Sequence, residues 1–360
     1  MMSRFKWTVA RFAFKLSRMN IFAIETSCDE TSAAVVKDGR VVLSNIVASQ
    51  IDLHCRYGGV VPEVAARAHI EKIIPVIEAA RAQASVVWSE LDFLAVVEGA
   101  GLLPSLLVGV NTAKTLSFAL KKPLLPVNHI VGHIYANWLG RPRDTIKFPL
   151  IALVVSGGHT ELLLMKDHWN FNRLGGTLDD AAGEAFDKIA NLLKLGYPGG
   201  PIVSRRAQRG RADAFSFPRA LLDQDNYDFS FSGLKTAVIN QVRQLEKKQA
   251  LAAAQKNDLC ASFQQAAVDV LVGKSLRAIG EYRPRSFVLA GGVAANQRLR
   301  QSLAAALKSH FPAVAYYQPA PQYCVDNAAM IGAAAYFLHR QLRGKHRTWK
   351  NLEALPGLHL

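Results

Sequence analysis

The sequence predicts an α/β protein of two related halves with a cleft between them, and three features carry that prediction. A strand–turn–strand pattern at residues 21–36 is repeated at residues 150–165. In each copy the first strand is a near-continuous apolar run, as expected of strands buried on both faces. Helical patterns separate the copies, most clearly at residues 179–195, where Ala182, Ala185, Phe186, Ile189, Leu192 and Leu193 form one apolar face. A further apolar strand, beginning at Ser286, ends in Gly291 and Gly292 and leads into a helix expected to start near Ala294. Duplicated units of this kind pack as layered α/β halves, and ligand clefts form where such halves meet.

Bulk properties narrow the class. A chain of 360 residues is long enough for two well-filled halves. It is 50% hydrophobic and 20% charged, ordinary values for a soluble globular protein. No apolar run approaches the length needed to cross a bilayer, so no membrane partner is expected. Cys28, Cys55, Cys260 and Cys324 are scattered, which fits reduced thiols in a cytosol-like compartment. The net charge of +15 points to contact with nucleic acid or another polyanion. Part of that excess sits at the ends, in Arg4, Lys6, Arg11, Lys15 and Arg18 and again in Arg340, Arg343, Lys345, Arg347 and Lys350. The expected division is a basic extension at 1–18, a first half at 19–148, a second half with inserted helices at 149–340, and a basic tail at 341–360.

Along the chain, residues 1–18 form a basic, acid-free amphipathic stretch, with Phe5, Val9, Phe12 and Leu16 on one face. Such a stretch resembles a mitochondrial transit peptide. The blander account is an upstream start codon, since Met19 directly precedes the first strand at residues 20–24 and the stretch is poor in Ser. The turn after that strand is rich in small polar residues, as is its copy after residue 155. Both offer N–H groups and hydroxyls suited to phosphate oxygens.

His129 and His133 stand four apart, on one face of a helix, close enough to grip one ion. The alternative is two polar residues at the edge of a core. Ile130 occupies the position where a His-Glu-x-x-His protease carries its general base. On the helix at 179–195, Asp180, Glu184, Asp187 and Asn191 line up opposite the apolar face. Water answers such a stripe by default; a ligand rich in hydroxyls or amines is the sharper alternative. The turn at residues 196–201 would place backbone beside that ligand. Gly291 and Gly292 serve either turn geometry or the approach of an anion to a helix start. They do not form a dinucleotide fingerprint, and no P-loop occurs. Asp326 precedes a helical run, as an N-cap or as a third, oxygen ligand for the histidine pair.

Taken together and in order, these segments resemble one family, the universal tRNA N6-adenosine threonylcarbamoyltransferases, once described as O-sialoglycoprotein endopeptidases. The resemblance is carried by Ile24-Glu-Thr-Ser-Cys-Asp-Glu-Thr-Ser32, Gly59-Val-Val-Pro-Glu-Val-Ala-Ala-Arg67, Asn128-His-Ile-Val-Gly-His133 and Val155-Ser-Gly-Gly-His-Thr160. It continues through Asp180-Ala-Ala-Gly-Glu-Ala-Phe-Asp-Lys188, Gly196-Tyr-Pro-Gly-Gly-Pro201, Phe229-Ser-Phe-Ser-Gly-Leu-Lys-Thr236, Gly291-Gly-Val-Ala-Ala-Asn296 and Asp326-Asn-Ala-Ala-Met-Ile-Gly332. It spans about residues 20–338.

The resemblance implies the duplicated fold shared by actin, heat-shock chaperones and sugar kinases. It implies one divalent metal on His129, His133 and Asp326, usually iron, with zinc and magnesium as alternatives. Val154, Val155, Ser156, Gly157, Gly158, Asp187, Gly200 and Asn296 would line the site for threonylcarbamoyl-adenylate or another adenine nucleotide. The implied reaction moves the threonylcarbamoyl group to N6 of adenosine 37 in tRNAs reading codons that begin with A. A metal there would act as a Lewis acid on phosphate or carbamoyl oxygens. Asp29 or Glu30 would assist proton transfer or position the donor. Val154 and His159 stand where archaeal and eukaryotic cytosolic members carry Tyr and Asn, which places the chain with the bacterial or organellar branch. Bacterial members work with a paralogous partner of the same fold and a small ATPase, and organellar members act as homodimers. The compartment would be cytoplasmic, or mitochondrial if residues 1–18 are a transit peptide. The rival readings are an ATPase or small-molecule kinase of the same fold, a metalloprotease, and a non-catalytic nucleotide-binding module.

Overall fold

The computed structural model describes residues 18–342 and 349–360. The leader expected at 1–18 thus lies, apart from Arg18, outside the described residues, as do Arg343, Lys345 and Arg347 of the tail.

The first half contains β1 (Asn20–Glu25), β2 (Glu30–Lys37), β3 (Val41–Ser49), α1 (Ile51–His54), α2 (Pro62–Ala84), β4 (Phe93–Gly99), α3 (Leu103–Leu120), β5 (Leu124–Asn128) and α4 (His129–Tyr135). The second contains β6 (Leu150–Val155), β7 (Thr160–Asp167), β8 (Asn170–Gly176), α5 (Ala182–Leu192), α6 (Gly199–Ala207), α7 (Ser232–Glu246) and α8 (Ala253–Tyr282). It continues with β9 (Ser286–Ala290), α9 (Gln297–His310), β10 (Ala315–Tyr317) and α10 (Ala328–Gln341). The sheets have orders β3-β2-β1-β4-β5 and β10-β9-β6-β7-β8. In each, an antiparallel meander of three strands is extended on one side by two parallel strands. The duplication inferred from the two hairpins therefore extends to the whole topology.

Side-chain alternation explains the apolar runs. In β1, Ile21 and Ala23 face a core between the two sheets, while Phe22 and Ile24 face a core under α2 and α3. In β6, Leu150, Ala152 and Val154 face the central core, while Ile151, Leu153 and Val155 face the helices on the far side. Both faces of each strand are buried, so the strand interiors are apolar throughout. Between the sheets lie α4 and α10, with an aromatic floor of Tyr135, Trp138, Phe148, His168 and Phe337. Burial holds the His168 imidazole down to about 4, so it is a neutral ring whose Nδ1 meets the Tyr135 hydroxyl at 3.0 Å.

Two expected helix starts are corrected. The helix expected over 179–195 is α5, which begins only at Ala182. Asp179 is outside it, accepting from Ser230 Oγ at 2.6 Å and Phe231 N at 2.8 Å and so tying the turn to α7. The helix expected near Ala294 starts at Gln297, because Asn296 caps it through Leu299 N and the preceding turn is 3-10. Finally, α10 belongs to the expected second half by sequence but packs on β1 and β2 of the first sheet. Its residues 328–337 are buried throughout. A helix apolar all round requires cover on all sides, and the space between the sheets supplies it.

Candidate metal centre and binding cleft

The two central helices start at the same place. Asn128 ends β5 and caps α4, its side chain accepting from Ile130 N at 2.8 Å and Val131 N at 3.3 Å. Asn327 caps α10 through Met330 N at 3.1 Å, and the next two free amides go to Ser32 Oγ and Asn45 Oδ1 of the first sheet. Asp326 is therefore not the cap, and its carboxylate is available to the site. Gly132 lets the helices close: a Cβ there would stand 2.9 Å from Ile331 Cδ1. That approach brings His129, His133 and Asp326 together.

The ligand atoms of His129, His133 and Asp326 lie within 4.8 Å of one another. His129 Nε2 is 3.4 Å and His133 Nε2 3.1 Å from Asp326 Oδ1. His133 is 1% exposed, and neither of its ring nitrogens has a hydrogen-bond partner among the described residues, the 3.1 Å approach being out of line. A buried polar atom without a partner costs free energy unless a ligand answers it. Two imidazoles and one carboxylate are a donor set for a divalent transition metal. The residues fit the metal that the sequence pattern implied.

Behind the triad stands a carboxylate that the sequence pattern did not single out. Glu25, wholly buried at the end of β1, meets His129 Nδ1 at 3.1 Å and accepts from Ser27 N. Ser27 Oγ lies 3.0 Å from the same Nδ1. A carboxylate on Nδ1 leaves Nε2 to face the ion, the usual support of a metal-binding imidazole. Burial alone would lower the His129 pKa, but Asp326 and Glu25 outweigh it and hold the metal-free ring protonated. Burial likewise works against the Asp326 carboxylate, yet His129 and His133 keep it far below the usual carboxylate range. The signal for Glu25 was present in the sequence as a charged residue closing an otherwise apolar strand.

The turn after β1 forms the first-half wall. The Glu30 carboxyl is pushed up to about 10 by burial and by the neighbouring Asp29 and Asp326 carboxyls, so it carries a proton at neutral pH. Ser49 Oγ donates to its Oε1 at 3.2 Å. His69, fully buried on α2, holds this turn through Thr31 Oγ1 at 2.7 Å and the Cys28 carbonyl at 3.0 Å. Sequence reading also missed Tyr197. Its carbonyl accepts from Cys55 Sγ at 3.1 Å, joining the halves, and burial with Asp29 and Asp187 raises its hydroxyl pKa.

The second half contributes backbone. Val154 and Val155 have buried side chains, so only their main chain can face a ligand. Ser156 to His159 form a turn closed by Ser156 N to His159 O at 2.8 Å, and Gly157 and Gly158 face open space. The same is true of Gly200 and Gly292. His159 lies beside the triad, held down to about 4 by burial and by His129 and His133. Asp187 Oδ1 accepts from Gly199 N at 2.7 Å, and burial raises its carboxyl pKa. The rest of the acidic stripe is answered by lysines. Asp180, which precedes the helix, binds Lys188 at 2.7 Å and Lys235 at 2.6 Å, and Glu184 binds Lys188 at 2.8 Å. Asn296, besides capping α9, donates to Gln264 Oε1 at 2.8 Å.

The profile of the family described as tRNA N6-adenosine threonylcarbamoyltransferase (TsaD) matches residues 41–333. A protein of that name from Thermomicrobium roseum is 54% identical over 341 residues, covering 89% of this chain and 92% of its own. One from Staphylococcus aureus is 53% identical over 323 residues, covering 90% and 92%. Among solved structures, a phosphate- and nucleotide-bound HypF matches 91% of this chain with TM-score 0.58 at 15% identity, over 47% of its longer length. Component A of an Acidaminococcus fermentans 2-hydroxyglutaryl-CoA dehydratase matches 88% with TM-score 0.50 at 17% identity, over 98% of its length. At such identities these two establish the duplicated fold alone.

Proposed function

The chain belongs to the tRNA N6-adenosine threonylcarbamoyltransferase family, and from that premise we propose how its cleft carries the transfer. The enzyme is a transferase that places a threonylcarbamoyl group on an adenosine of tRNA. The donor is threonylcarbamoyl-adenylate and the acceptor the N6 amine of adenosine 37 in tRNAs reading codons that begin with A. The observation that carries this reading is the buried two-histidine, one-carboxylate centre at the shared start of α4 and α10, facing bare glycine turns.

In this reading the amides of Gly157 and Gly158 and of the Gly292 turn hold the donor phosphate, since glycine turns that face open space present N–H groups to an anion. Asp187, with one oxygen held by Gly199 N, presents the other to a hydroxyl or amine of the threonyl group. His129, His133 and Asp326 would hold a divalent metal, iron in this reading with zinc or magnesium as the alternatives. When bound, it supplies Lewis acidity toward the donor oxygens. The N6 amine attacks the carbamoyl carbon, the bond from that carbon to the phosphate oxygen breaks, and AMP leaves with the amine's proton on its phosphate. Glu30, protonated at neutral pH, donates a hydrogen bond and positions the donor; it does not abstract the amine proton.

The test uses purified protein with synthetic adenylate donor and unmodified tRNA, with and without a paralogous partner and a small ATPase. Modified adenosine and AMP are expected in equal amounts, and their loss in His129→Ala together with bound metal. AMP formed without tRNA modification, or full activity in metal-stripped His129→Ala, would overturn the proposal.

A further inference from the structure

Beyond residues 41–333, where the family profile matches, the chain returns to the cleft. After the 3-10 turn Trp349–Asn351, residues 352–360 run along the C-terminal ends of β4 and β5 with one turn at Pro356 and Gly357. The segment is attached at several points. The Leu352 side chain is 3% exposed in the core beneath α2 and α3, and its carbonyl accepts from Lys114 Nζ at 3.0 Å. Leu355 N donates to Glu98 O at 2.6 Å, and Gly101 N to Pro356 O at 3.2 Å. Asn128 Nδ2 donates to Leu358 O at 3.3 Å.

One of these contacts adjoins the candidate metal centre. Asn128 directly precedes His129, and its Oδ1 caps α4 while its Nδ2 holds the segment, so one side chain joins the two. One residue further, His359 lies close enough to His159 for its charge to act on that ring. The segment is therefore fastened at the end of β5, next to the first of the candidate ligands, with its last residues on the side of His159. Its seat is Gly99, where a Cβ would stand 2.0 Å from Leu355 O and 2.9 Å from Leu358 Cβ.

We infer that residues 352–360 are a fixed strap that walls the cleft on its first-half side, positioning the acceptor nucleotide and keeping water from the carbamoyl carbon. Several hydrogen bonds and a buried leucine suit a permanent wall and not a flap that must leave. The exposed Leu355, His359 and Leu360 offer an apolar and imidazole surface, the kind on which an unstacked base of a tRNA loop rests. The inference rests on the transfer proposed above. If the strap is lost, water replaces the amine: it attacks the carbamoyl carbon, the carbon–oxygen bond to phosphate breaks, and AMP leaves. The other product, N-carboxythreonine, loses carbon dioxide to give threonine.

The first test is Gly99→Ala in the full chain, which evicts the strap without removing it. Since the stacking of one base contributes a factor of about 5–150, KM for tRNA should rise about tenfold while kcat at saturating tRNA changes less than about twofold. AMP released per modified adenosine should rise in parallel. A second variant ends the chain at Leu352, keeping the anchor. It should show the same KM and the same ratio, and adding Gly99→Ala to it should change neither. Thermal unfolding and metal content report whether each variant is folded. An effect of Gly99→Ala that persists in the shortened chain, or a shortened chain with unchanged KM and AMP ratio, overturns the strap. A direct readout is tRNA affinity without donor, expected to weaken in both variants; unchanged affinity also counts against it. Wild-type protein that binds tRNA in a strap-dependent way but never modifies it would refute the proposed transfer and leave the strap standing.

Discussion

Replacing Glu25 by Gln tests the support of the metal centre with almost no change of shape. Glu25 serves two neighbours at once, Ser27 N on one oxygen and His129 Nδ1 on the other. A glutamine has one oxygen and one NH2. If the oxygen stays with Ser27 N, the NH2 faces Nδ1 and that nitrogen becomes an acceptor. The proton then sits on His129 Nε2, the nitrogen that must face the ion. If the amide is reversed, two donors meet at Ser27 N, within a site that is wholly buried. Loss of such a supporting partner weakens metal binding by about 10–100-fold, which is about 1.4–2.7 kcal/mol. Leaving a buried donor unsatisfied costs about 1–3 kcal/mol of stability in addition. The assay is a competition titration of Fe2+ or Zn2+ against a chelator of known affinity, on Glu25→Gln, His129→Ala and wild type at one pH. Imidazole 15N shifts would report the tautomer. Wild-type affinity in Glu25→Gln, alongside loss of binding in His129→Ala, would refute the reasoning, since His129 would then be a ligand whose orientation does not depend on Glu25.

His133→Ala should abolish metal binding yet shift Tm by only a few degrees, because its ring nitrogens make no hydrogen bond among the described residues; inductively coupled plasma analysis and thermal unfolding check both halves of this. The metal competes with the proton that Asp326 and Glu25 hold on His129, so binding releases a proton and apparent affinity should rise with pH, by at most about tenfold per unit, flattening above the raised His129 pKa; titration in buffers of different ionisation heat counts the proton. Glu30, raised from 4.5 to about 10, binds more protons folded than unfolded across that window, so it makes the fold less stable as pH rises from about 5 toward 10. Glu30→Gln should therefore gain stability relative to wild type over that range, read as Tm against pH, and a constant difference would show that Glu30 is ionised. Asp180→Asn should destabilise the α5–α7 side, since Lys188 and Lys235 lose a shared partner; at partly exposed sites this is about 1 kcal/mol, seen in urea denaturation.

Much of the architecture was readable because buried strands and amphipathic helices write their environment locally. The two apolar strands announce burial on both faces, and the spacing of His129 and His133 is a property of one helical turn. Helix starts were less legible. Asp179 and Asp180 continue the apparent pattern of α5 but are spent on Ser230, Lys188 and Lys235, residues 8 to 55 positions away. Likewise the acidic stripe looked open to a ligand, and the lysines that answer two of its members come from elsewhere in the chain or a turn further on.

By itself the sequence determined the duplicated α/β class and the family, and it named His129, His133 and Asp326 as candidate ligands, since each depends on residue type and local spacing or on motifs kept in order. Only the tertiary structure decided that Asn327 and not Asp326 caps α10, that Glu25 stands behind His129, and that α10 lies on the first sheet. It alone brought residues 352–360 back to Gly99 and Asn128. The physical reason is common to all four. Three are contacts between segments far apart in the chain, and the local Asn327 cap is fixed by the neighbouring amides going to the distant Ser32 and Asn45; all are chosen by which polar groups need partners and which apolar faces need cover once the two sheets close on the helices between them.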